Sequence, residues 1–368
     1  MKTVRRLLHG EISRAVGFVL MGFLALFLFF DVVEELQNLA NLASQGYQLH
    51  HALWYVALKT PAHIYELLPI SVLIGCIFVM ARLAQSSEFT ILRTGGLAPL
   101  KALSTLLQLG SVFVLATFLL GDYVAPWADR QGVLIKARFQ GNLTVGRTGA
   151  WLKERQLERH FAVNVRSFDG ISHMQNVRIH EFNEDGQLLT ITSAPQAEIA
   201  EGKWVLREAE EKSIKTQGAN PTTQYLYKQH GQLVWPTGIN AEMLAAAVLS
   251  PERMRTWDLF HYMRHLSSNN QNAQRYEIEF WRKVFYPLSC LVMLVLALPF
   301  AYLHFRSGQI AGHVFGGVLA GISFALLNNL FSFAGNLQNW QPWITAAAPS
   351  LIYSAISLLG FWWMVLRR

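Results

Sequence analysis

Charge and cysteine are both scarce in this sequence. Only 15% of its 368 residues are charged, while 52% are hydrophobic, and soluble domains average about 25% charged residues. This shortage of charge argues against a soluble globular protein and favours a bilayer environment. The two cysteines, Cys76 and Cys290, both lie in apolar runs, so we expect no disulfide framework in the polar part of the chain.

Several catalytic motifs are also missing. The chain has no G-x-x-x-x-G-K-[ST] phosphate loop, and its Gly202-Lys203 pair lies in a predicted hairpin turn, so we expect no ATP hydrolysis by this chain itself. It has no Gly-x-Ser-x-Gly nucleophile elbow. His50-His51 and the scattered histidines of the polar insert lack metal-ligand spacing. We therefore expect a non-catalytic chain with no cofactor and no metal.

Six apolar segments are long enough to cross a bilayer, which takes roughly 20 residues. They are predicted at about 15–33, 53–81, 100–124, 284–303, 310–333 and 344–366. The basic N-terminus could begin a signal peptide, but no small-residue cleavage site follows Phe30, so we expect a retained first span. The predicted organisation is a membrane half at 1–129, an extramembrane domain with its connector at 130–265, and a second membrane half at 266–368.

Basic residues predict the orientation of these spans. The net charge of +7 would suit nucleic-acid binding, but Lys and Arg are dispersed and often flank apolar runs, as topology signals do. They occupy both termini, the loop between spans two and three, and the loop after span four, whereas 37–58 and 334–344 contain none. We therefore expect both termini in the cytoplasm and the large insert in the opposite compartment.

The insert alternates apolar and polar residues with the period of a strand, as at Phe161, Val163 and Val165. Its Asp169-Gly170, Asp185-Gly186 and Glu201-Gly202 pairs are spaced as hairpin turns, in which glycine readily adopts positive φ. We expect a β-sandwich or an open jelly roll. The predicted strands are 150–154, 160–167, 177–182, 188–200, 203–216 and 222–235, followed from Ser250 by a helical connector.

Residues 82–97, between spans two and three, form a short amphipathic segment. Ala84, Phe89 and Leu92 are predicted on one helical face with polar side chains on the other, and Gly95 is expected to form a left-handed cap. This pattern fits a helix that docks on a cytoplasmic partner. It also fits an interfacial loop helix whose arginines lie near lipid headgroups.

The block Leu83-Ala84-Gln85-Ser86-Ser87-Glu88, followed by Gly95-Gly96, resembles the coupling segment of the LptF/LptG family of lipopolysaccharide-export permeases, and more closely its LptG members. Other blocks are similar to that family in the same order: Val124-Ala125-Pro126, Trp281 to Leu288, and Gly321-Ile322-Ser323-Phe324. The resemblance covers nearly the whole chain. It implies a mixed α and β membrane protein of the bacterial inner membrane, with six transmembrane helices (3+3) and a periplasmic β-jelly-roll domain between helices 3 and 4.

The resemblance also implies partners and a coupling site. Such permeases pair with a homologous, LptF-like subunit and with a cytoplasmic ATPase dimer, and we further expect a single-span periplasmic jelly-roll partner similar to LptC. The implied function is extraction of lipopolysaccharide from the inner membrane and its transfer to a periplasmic bridge. Glu88 matches the coupling glutamate of the family. The expected coupling residues are Gln85, Ser87, Glu88, Arg93 and Gly95.

Lipopolysaccharide carries phosphates, so we expect cations near the outer membrane surface. The family often has a basic residue at the outer end of span one, but Asp31 stands about there in this sequence, which places a phosphate contact from span one in doubt. Arg130, Lys136 and Arg138, beyond span three, are the expected lipopolysaccharide-binding residues, and Lys136 matches a basic position of the family. The alternative is a solvated junction, where basic residues are common.

Polar residues inside the spans are functional candidates because a bilayer makes them costly. Lys59 and His63 lie one turn apart in span two and could share a bundle-facing stripe with Glu66, as a proton relay requires. Lys59 could instead snorkel to the outer surface. Span five contains three glycines that we expect to permit close helix approach, Gly312, Gly316 and Gly317.

Two other functional classes stay open. A proton-coupled secondary transporter would require one of these ionisable residues and would work without an ATPase. A membrane-anchored sensor or assembly factor would use the β domain for binding, although six spans exceed what an anchor needs.

Overall fold

The structure is a computed structural model. It describes residues 2–43, 46–96, 98–140, 143–144, 150–156, 159–168, 172–217, 222–241, 243–244, 251–269, 271–302 and 310–363. The chain divides into two compact units. The membrane unit comprises Met1–Asn38, Ala52–Asp129 and Gln274–Arg368, and the β unit comprises Leu39–His51 and Arg130–Ala273.

Within the described residues, six helical segments are long and apolar enough to cross a bilayer. The first span is α1 (Lys2–Leu42), and the second is α2 (Leu49–Gln85). The short helix α3 (Glu88–Thr94) follows. The third span begins with α4 (Pro99–Leu119) and continues through a π-helical turn (Leu120–Val124) into α5 (Ala125–Gln140). A connector helix, α6 (Thr256–Ser268), precedes the last three. The fourth span consists of α7 (Gln274–Phe285), a 3₁₀ turn (Tyr286–Leu288), α8 (Ser289–Ala297) and a second 3₁₀ turn (Leu298–Tyr302). The fifth span is α9 (Ile310–Gln338), and the sixth is α10 (Pro342–Phe361).

The predicted class is confirmed, because three apolar helices precede and three follow an antiparallel sheet. The helices run past the apolar segments that predicted them: α1 covers Lys2–Leu42, whereas its apolar segment is 15–33. Helix formation does not stop where hydrophobicity stops, since the next residues include no proline or glycine pair that would break the helix. The last predicted residues of spans four and six, 303 and 364–366, lie outside the described residues.

The membrane unit is built around α2. Buried side chains of α2, such as Val72, share one apolar core with side chains from six other helices: Ile12 of α1, Phe89 of α3, Leu106 of α4, Met293 of α8, Phe324 of α9 and Phe361 of α10. By contrast, much of α1 exposes large apolar side chains, as a lipid-facing or partner-facing surface does.

One of the three predicted glycine contacts in α9 is present. A Cβ added at Gly317 would lie 2.6 Å from the Cδ1 atom of Ile77 in α2, so only glycine permits this close approach. Gly312 and Gly316 meet nothing within 4 Å. Both lie on the exposed side of α9, so for these two the close helix approach stays a prediction.

The third span is interrupted by the π-helical turn Leu120–Val124. A π turn leaves backbone groups without their α-helical partners. One of them, the Gly121 carbonyl, accepts a hydrogen bond from Lys283 Nζ of α7 at 3.2 Å. The Tyr65 ring of α2 fills the space at Gly121, where it would collide with an added Cβ. The turn is therefore held by two other spans.

The β unit contains one antiparallel sheet of seven described strands. The strands are β1 (Leu143–Thr144), β2 (Ala150–Gln156), β3 (Arg159–Phe168), β4 (His173–Phe182), β5 (Leu188–Ala200), β6 (Lys203–Gln217) and β7 (Thr222–Pro236). Each of β3 to β6 pairs with the next strand along the chain, and both β1 and β2 pair with β3. The six predicted strands are confirmed; five match the predicted bounds to within two residues, and the one predicted at 177–182 begins four residues earlier, at His173. Gly186 and Gly202 adopt positive φ in their turns as expected, whereas Asp169-Gly170 lies outside the described residues.

A crease crosses four neighbouring strands at one level. Asn176 of β4 and Glu208 of β6 have φ values of 50° and 51°, and the pairing registers skip both residues. Pro195 of β5 and Gly231 of β7 stand opposite them, and proline and glycine favour such irregularities. The crease bends the sheet and helps to bring its two ends together. Rings of Phe161 in β3 and Trp235 in β7 lie 5.6 Å apart, although these strands are not paired.

Candidate functional site

The expected coupling segment is a tight helix–turn–helix. α2 ends at Gln85, and Ser87 takes a left-handed conformation with φ 58° and ψ 4°. α3 then begins at Glu88 and ends at Thr94. A left-handed residue cannot continue a right-handed helix, so Ser87 ends the path of α2 and the chain turns there into α3. Gln85 and Glu88 are both exposed beside this turn.

One side chain anchors α3 in the membrane unit. Phe89 is only 3% exposed and belongs to the same apolar core as Leu83 and Ala102. Its ring lies 5.1 Å from the ring of Tyr302, edge to face. The Arg93 guanidinium also lies over the Tyr302 ring, 5.5 Å from its centre. Ile91, by contrast, is 67% exposed.

The predicted left-handed cap is displaced by one residue. Gly95 has φ −74°, and its N–H still donates to the Ile91 carbonyl at 2.9 Å, as in a continuing helix. Gly96 takes the positive φ of 100° instead. The prediction for Gly95 is therefore wrong, because a Gly-Gly pair lets the helical hydrogen bonding extend one residue before the chain turns.

The coupling segment is also tied to the first span. Arg82, near the end of α2, forms an ion pair with Glu11 of α1, and Glu11 pairs in turn with Arg14. Buried Leu8 and Ile12 of α1 flank this pair and pack in the same core as Leu83. A force on α3 can thus reach both α1 and α2 through charged and apolar contacts.

A second polar cluster lies between spans one and two. The Asp31 carboxylate of α1 accepts a hydrogen bond from Lys59 Nζ at 3.0 Å and lies 2.6 Å from His63 Nε2. Glu34, whose side chain is 67% exposed, is 3.7 Å from the same ammonium. Glu66 does not join the cluster, because its side chain is exposed. The structure therefore gives Lys59 and His63 a common partner on the neighbouring span.

This pairing was not expected from the sequence. The spacing of Lys59 and His63 placed them on one helical face, but Asp31 was considered only as a departure from the expected basic residue. The sequence did contain a signal for this pairing: an acidic residue, Asp31, lies near the outer end of span one, and a basic residue, Lys59, lies near the outer end of span two. An isolated acid and an isolated base are both costly in a bilayer and tend to pair.

The three expected lipopolysaccharide-binding residues lie on one helix without forming one patch. Arg130 and Lys136 are residues of α5, as is Arg138, whose side chain lies outside the described residues. At about 100° per residue, Lys136 lies roughly 240° and Arg138 roughly 80° around the helix from Arg130. Arg130 is exposed and Lys136 is half-buried, and both have partners within the structure.

The model of the family described as "Lipopolysaccharide export system permease LptF/LptG" matches residues 6–366. The chain belongs to the LptF/LptG family. It is 24% identical to the lipopolysaccharide export system permease protein LptG of Haemophilus influenzae (strain ATCC 51907 / DSM 11121 / KW20 / Rd), over 100% of this chain and 99% of that protein. It is 26% identical to the protein of the same name from Escherichia coli (strain K12), over 98% of this chain and 99% of that protein.

Membership of the LptF/LptG family confirms the resemblance seen in the sequence. It makes the chain a permease component of a transport system rather than an enzyme, and a multi-pass protein of the inner membrane. The match spans both membrane halves and the β unit, so the whole architecture belongs to the family. Among the described residues, groups of three or more His, Cys, Asp or Glu suited to a metal ion are absent.

Proposed function

We propose that this LptF/LptG-family chain is the permease subunit of an ATP-driven exporter, which extracts lipopolysaccharide from the inner membrane and passes it to a periplasmic bridge toward the outer membrane. Family membership supports the substrate class. In this proposal both termini are cytoplasmic and the β unit is periplasmic, because the basic residues of the short loops fall on one side of the spans.

The observation that carries the ATP-driven mechanism is the construction of α3. Glu88 is exposed at the first turn of α3, and the next residue, Phe89, is buried in the membrane core. A basic groove on a cytoplasmic ATPase dimer would bind Glu88 through charge-assisted hydrogen bonds, which are roughly twice as strong as neutral ones. Movement of that groove would displace Phe89 and, through the Arg82–Glu11 pair, the first span. Gln85, Ser87, Arg93 and Gly95 complete the proposed coupling residues.

The exposed apolar faces of the membrane unit support a homologous permease partner. Phe18 of α1 and Phe315 of α9 are 76% and 62% exposed, and further large apolar side chains follow along both helices. Such faces must meet lipid or another apolar helix. We infer that an LptF-like subunit covers part of this surface, enclosing a cavity for the acyl chains. A single-span periplasmic partner similar to LptC completes the proposed assembly.

Three basic residues of α5 are proposed to bind the phosphates or acidic sugars of lipopolysaccharide. They are Arg130, Lys136 and Arg138. Their spread around the helix suits a bulky, multiply charged headgroup better than a single phosphate. The carboxylate of Asp31 is held by two basic side chains, so a direct phosphate contact from this position of span one is not part of the proposal.

The test compares Glu88→Arg with a matched charge reversal elsewhere. Glu184 is exposed in the turn between β4 and β5, so Glu184→Arg changes the net charge equally without touching α3. The chain is co-expressed with homologous permease and ATPase candidates and purified through a tag on this chain alone. We expect Glu184→Arg to retain the ATPase and lipopolysaccharide-stimulated hydrolysis, and Glu88→Arg to lose one or both. Equal behaviour of the two variants would remove Glu88 from the mechanism.

A proton-coupled secondary transporter is the second candidate. The short contact between Asp31 and His63 inside the membrane unit favours it, because an acid beside an imidazole can exchange a proton. This mechanism would move lipid in vesicles that contain a proton gradient and no ATPase. Transport under those conditions that disappears in Asp31→Asn would replace the ATP-driven proposal.

A further inference from the structure

The connector helix α6 is fastened to the β unit by one of its faces. Leu259, Tyr262 and Leu266 lie on this face, and all three are buried. Just after the helix, the Asn269 side chain accepts a hydrogen bond from the Arg155 N–H of β2 at 2.8 Å. The helix is therefore a packed part of the β unit rather than a loose tether.

The opposite face of α6 is aromatic and exposed. Trp257 and Phe260 are 69% and 37% exposed, and His261 and Arg264 beside them are also exposed. At about 100° per residue, these four side chains fall within an arc of roughly 100°, centred opposite the buried face. We call them the aromatic face. A helix surface that meets only water is normally polar or charged, so this face indicates a different environment.

The aromatic face forms one cluster that includes a cation. The Trp257 ring lies 4.6 Å from the His261 ring and 6.3 Å from the Phe260 ring. The Arg264 guanidinium lies 5.8 Å from the centre of the Phe260 ring. Asp258, the only acidic residue in the sequence of α6, falls outside this face. Exposed aromatic rings with an arginine and no carboxylate are typical of helices that lie in the headgroup layer of a bilayer.

The length of the chain after α6 keeps this helix near the bilayer. α6 ends at Ser268, and α7, the start of span four, begins at Gln274. From residue 268 to residue 274, an extended chain covers at most about 22 Å. Span four becomes apolar near Val284, and a helix from Gln274 to Val284 rises about 15 Å. The chain is therefore long enough for α6 to lie on the headgroups and too short for it to leave their neighbourhood.

We propose that the aromatic face of α6 docks on the phospholipid headgroups of the bilayer that the same chain spans, on the side of the β unit. Trp257 and Phe260 enter the boundary between headgroups and acyl chains, and the Arg264 guanidinium pairs with lipid phosphates. Docking restrains the β unit about its connector. The inference goes beyond the proposed function, because it does not depend on which lipid the protein transports.

The test measures the depth of α6 in the full-length chain reconstituted in nanodiscs that contain phosphatidylglycerol. His261→Cys carries a nitroxide on the aromatic face, and the native Cys76 and Cys290 are fully buried, so they react little. The collision rate with oxygen, which concentrates in lipid, is divided by the rate with a water-soluble nickel chelate. Glu184→Cys, in the exposed turn between β4 and β5, gives the aqueous reference. We expect a higher ratio at position 261 than at this reference.

Removing the two aromatic anchors should abolish this difference. With Trp257→Ser and Phe260→Ser added, the ratio at position 261 should fall to the aqueous reference, because burial of each large aromatic side chain shifts docking by roughly tenfold or more. Trp151→Ser is the matched control. Trp151 of β2 is 54% exposed, so its loss removes a surface tryptophan of the same unit and should leave the ratio unchanged.

Charge reversal of the cation supplies a second variant, which decides the question if the double serine variant fails to fold. Arg264→Glu should lower the ratio of docked to undocked helix by at least about fivefold in phosphatidylglycerol, because each basic side chain near an anionic surface contributes about that factor. The reduction should be smaller in nanodiscs of phosphatidylcholine, whose headgroups carry no net charge.

Three outcomes would overturn the proposal. A native chain whose ratio equals the aqueous reference would place the aromatic face in water. A ratio that neither the double serine variant nor Arg264→Glu lowers would remove these side chains from membrane contact. A label shielded from both reagents only after co-expression of a homologous permease would assign the face to a protein interface. ATPase retention and lipopolysaccharide-stimulated hydrolysis, measured on the same preparations, test the proposed function separately.

Discussion

Neutralising Asp31 tests whether the cluster between the first two spans stabilises the membrane unit. The Asp31 side chain is 11% exposed, and those of Lys59 and His63 are 23% and 18% exposed. In Asp31→Asn the amide oxygen can still accept one hydrogen bond, but both basic groups lose their charged partner. Glu34 cannot replace it, since its carboxylate is 3.7 Å from the ammonium and largely exposed.

The expected loss follows from the two kinds of ion pair. Removing one member of a buried pair costs about 3–5 kcal/mol, because a charge remains without compensation. An exposed pair, such as the one that remains with Glu34, contributes about 0–1 kcal/mol. We expect Asp31→Asn to lower the free energy of unfolding of the membrane unit by about 3 kcal/mol, and Glu34→Gln to lower it by less than about 1 kcal/mol.

A double-mutant cycle isolates the interaction. Asp31→Asn, Lys59→Met and the double variant are compared in a bilayer by steric trapping or by forced unfolding of single molecules. Lys59→Met keeps much of the side-chain length while removing the charge. The double variant should lose less than the sum of the single variants, with a coupling free energy of about 1–3 kcal/mol. Effects that add to within about 0.5 kcal/mol would refute the pairing.

Two further predictions concern the coupling segment and the β unit. Phe89→Ala should destabilise the membrane unit by about 3–5 kcal/mol through the cavity it leaves, whereas the exposed Ile91→Ala should change stability by less than about 0.5 kcal/mol; thermal unfolding of the full chain checks both. Burial lowers the pKa of His265 in α6 below its ordinary 6.5, and the nearby Glu154 carboxylate opposes this only in part. The neutral ring is therefore favoured in the fold, so the β unit should lose stability as the pH falls through 6.5 toward the lowered pKa. The protection factors of the β2 amides against hydrogen exchange should fall over that range, and His265→Gln should remove this fall; an unchanged pH dependence in the variant would contradict this assignment.

The strands were predictable because their signals are local. Alternation with period two and the Asp-Gly and Glu-Gly turns fixed each strand to within a few residues, as at Leu188–Ala200, where the predicted and observed bounds coincide. Apolar segment length predicted the six spans for the same reason. Neither signal contains information about which strand ends meet. The hydrogen bonds that the Glu154 carboxylate of β2 accepts from Thr237 and Gly238, just after β7, were therefore not predicted.

The charged and backbone details of the site were less accessible from the sequence. Whether Asp31 faces Lys59 depends on the rotation of two helices about their axes, and rotation is set by packing. The left-handed residue that follows α3 is Gly96 and not Gly95, because either glycine of the pair can adopt that conformation. Exposure of Glu88 and burial of Phe89, in contrast, followed from the amphipathic pattern and are present in the structure.

The π turn in the third span decouples the two halves of that helix. A π turn accommodates one residue more than an α-helix of the same rise, and one residue corresponds to about 100° of rotation. The core-facing stripe of α4 therefore does not continue in phase along α5. Deleting one residue of Leu120–Val124 would restore regular winding and rotate the first turn of α5, from Ala125, by about 100° around the helix axis, so a five-residue segment sets which way the start of α5 faces.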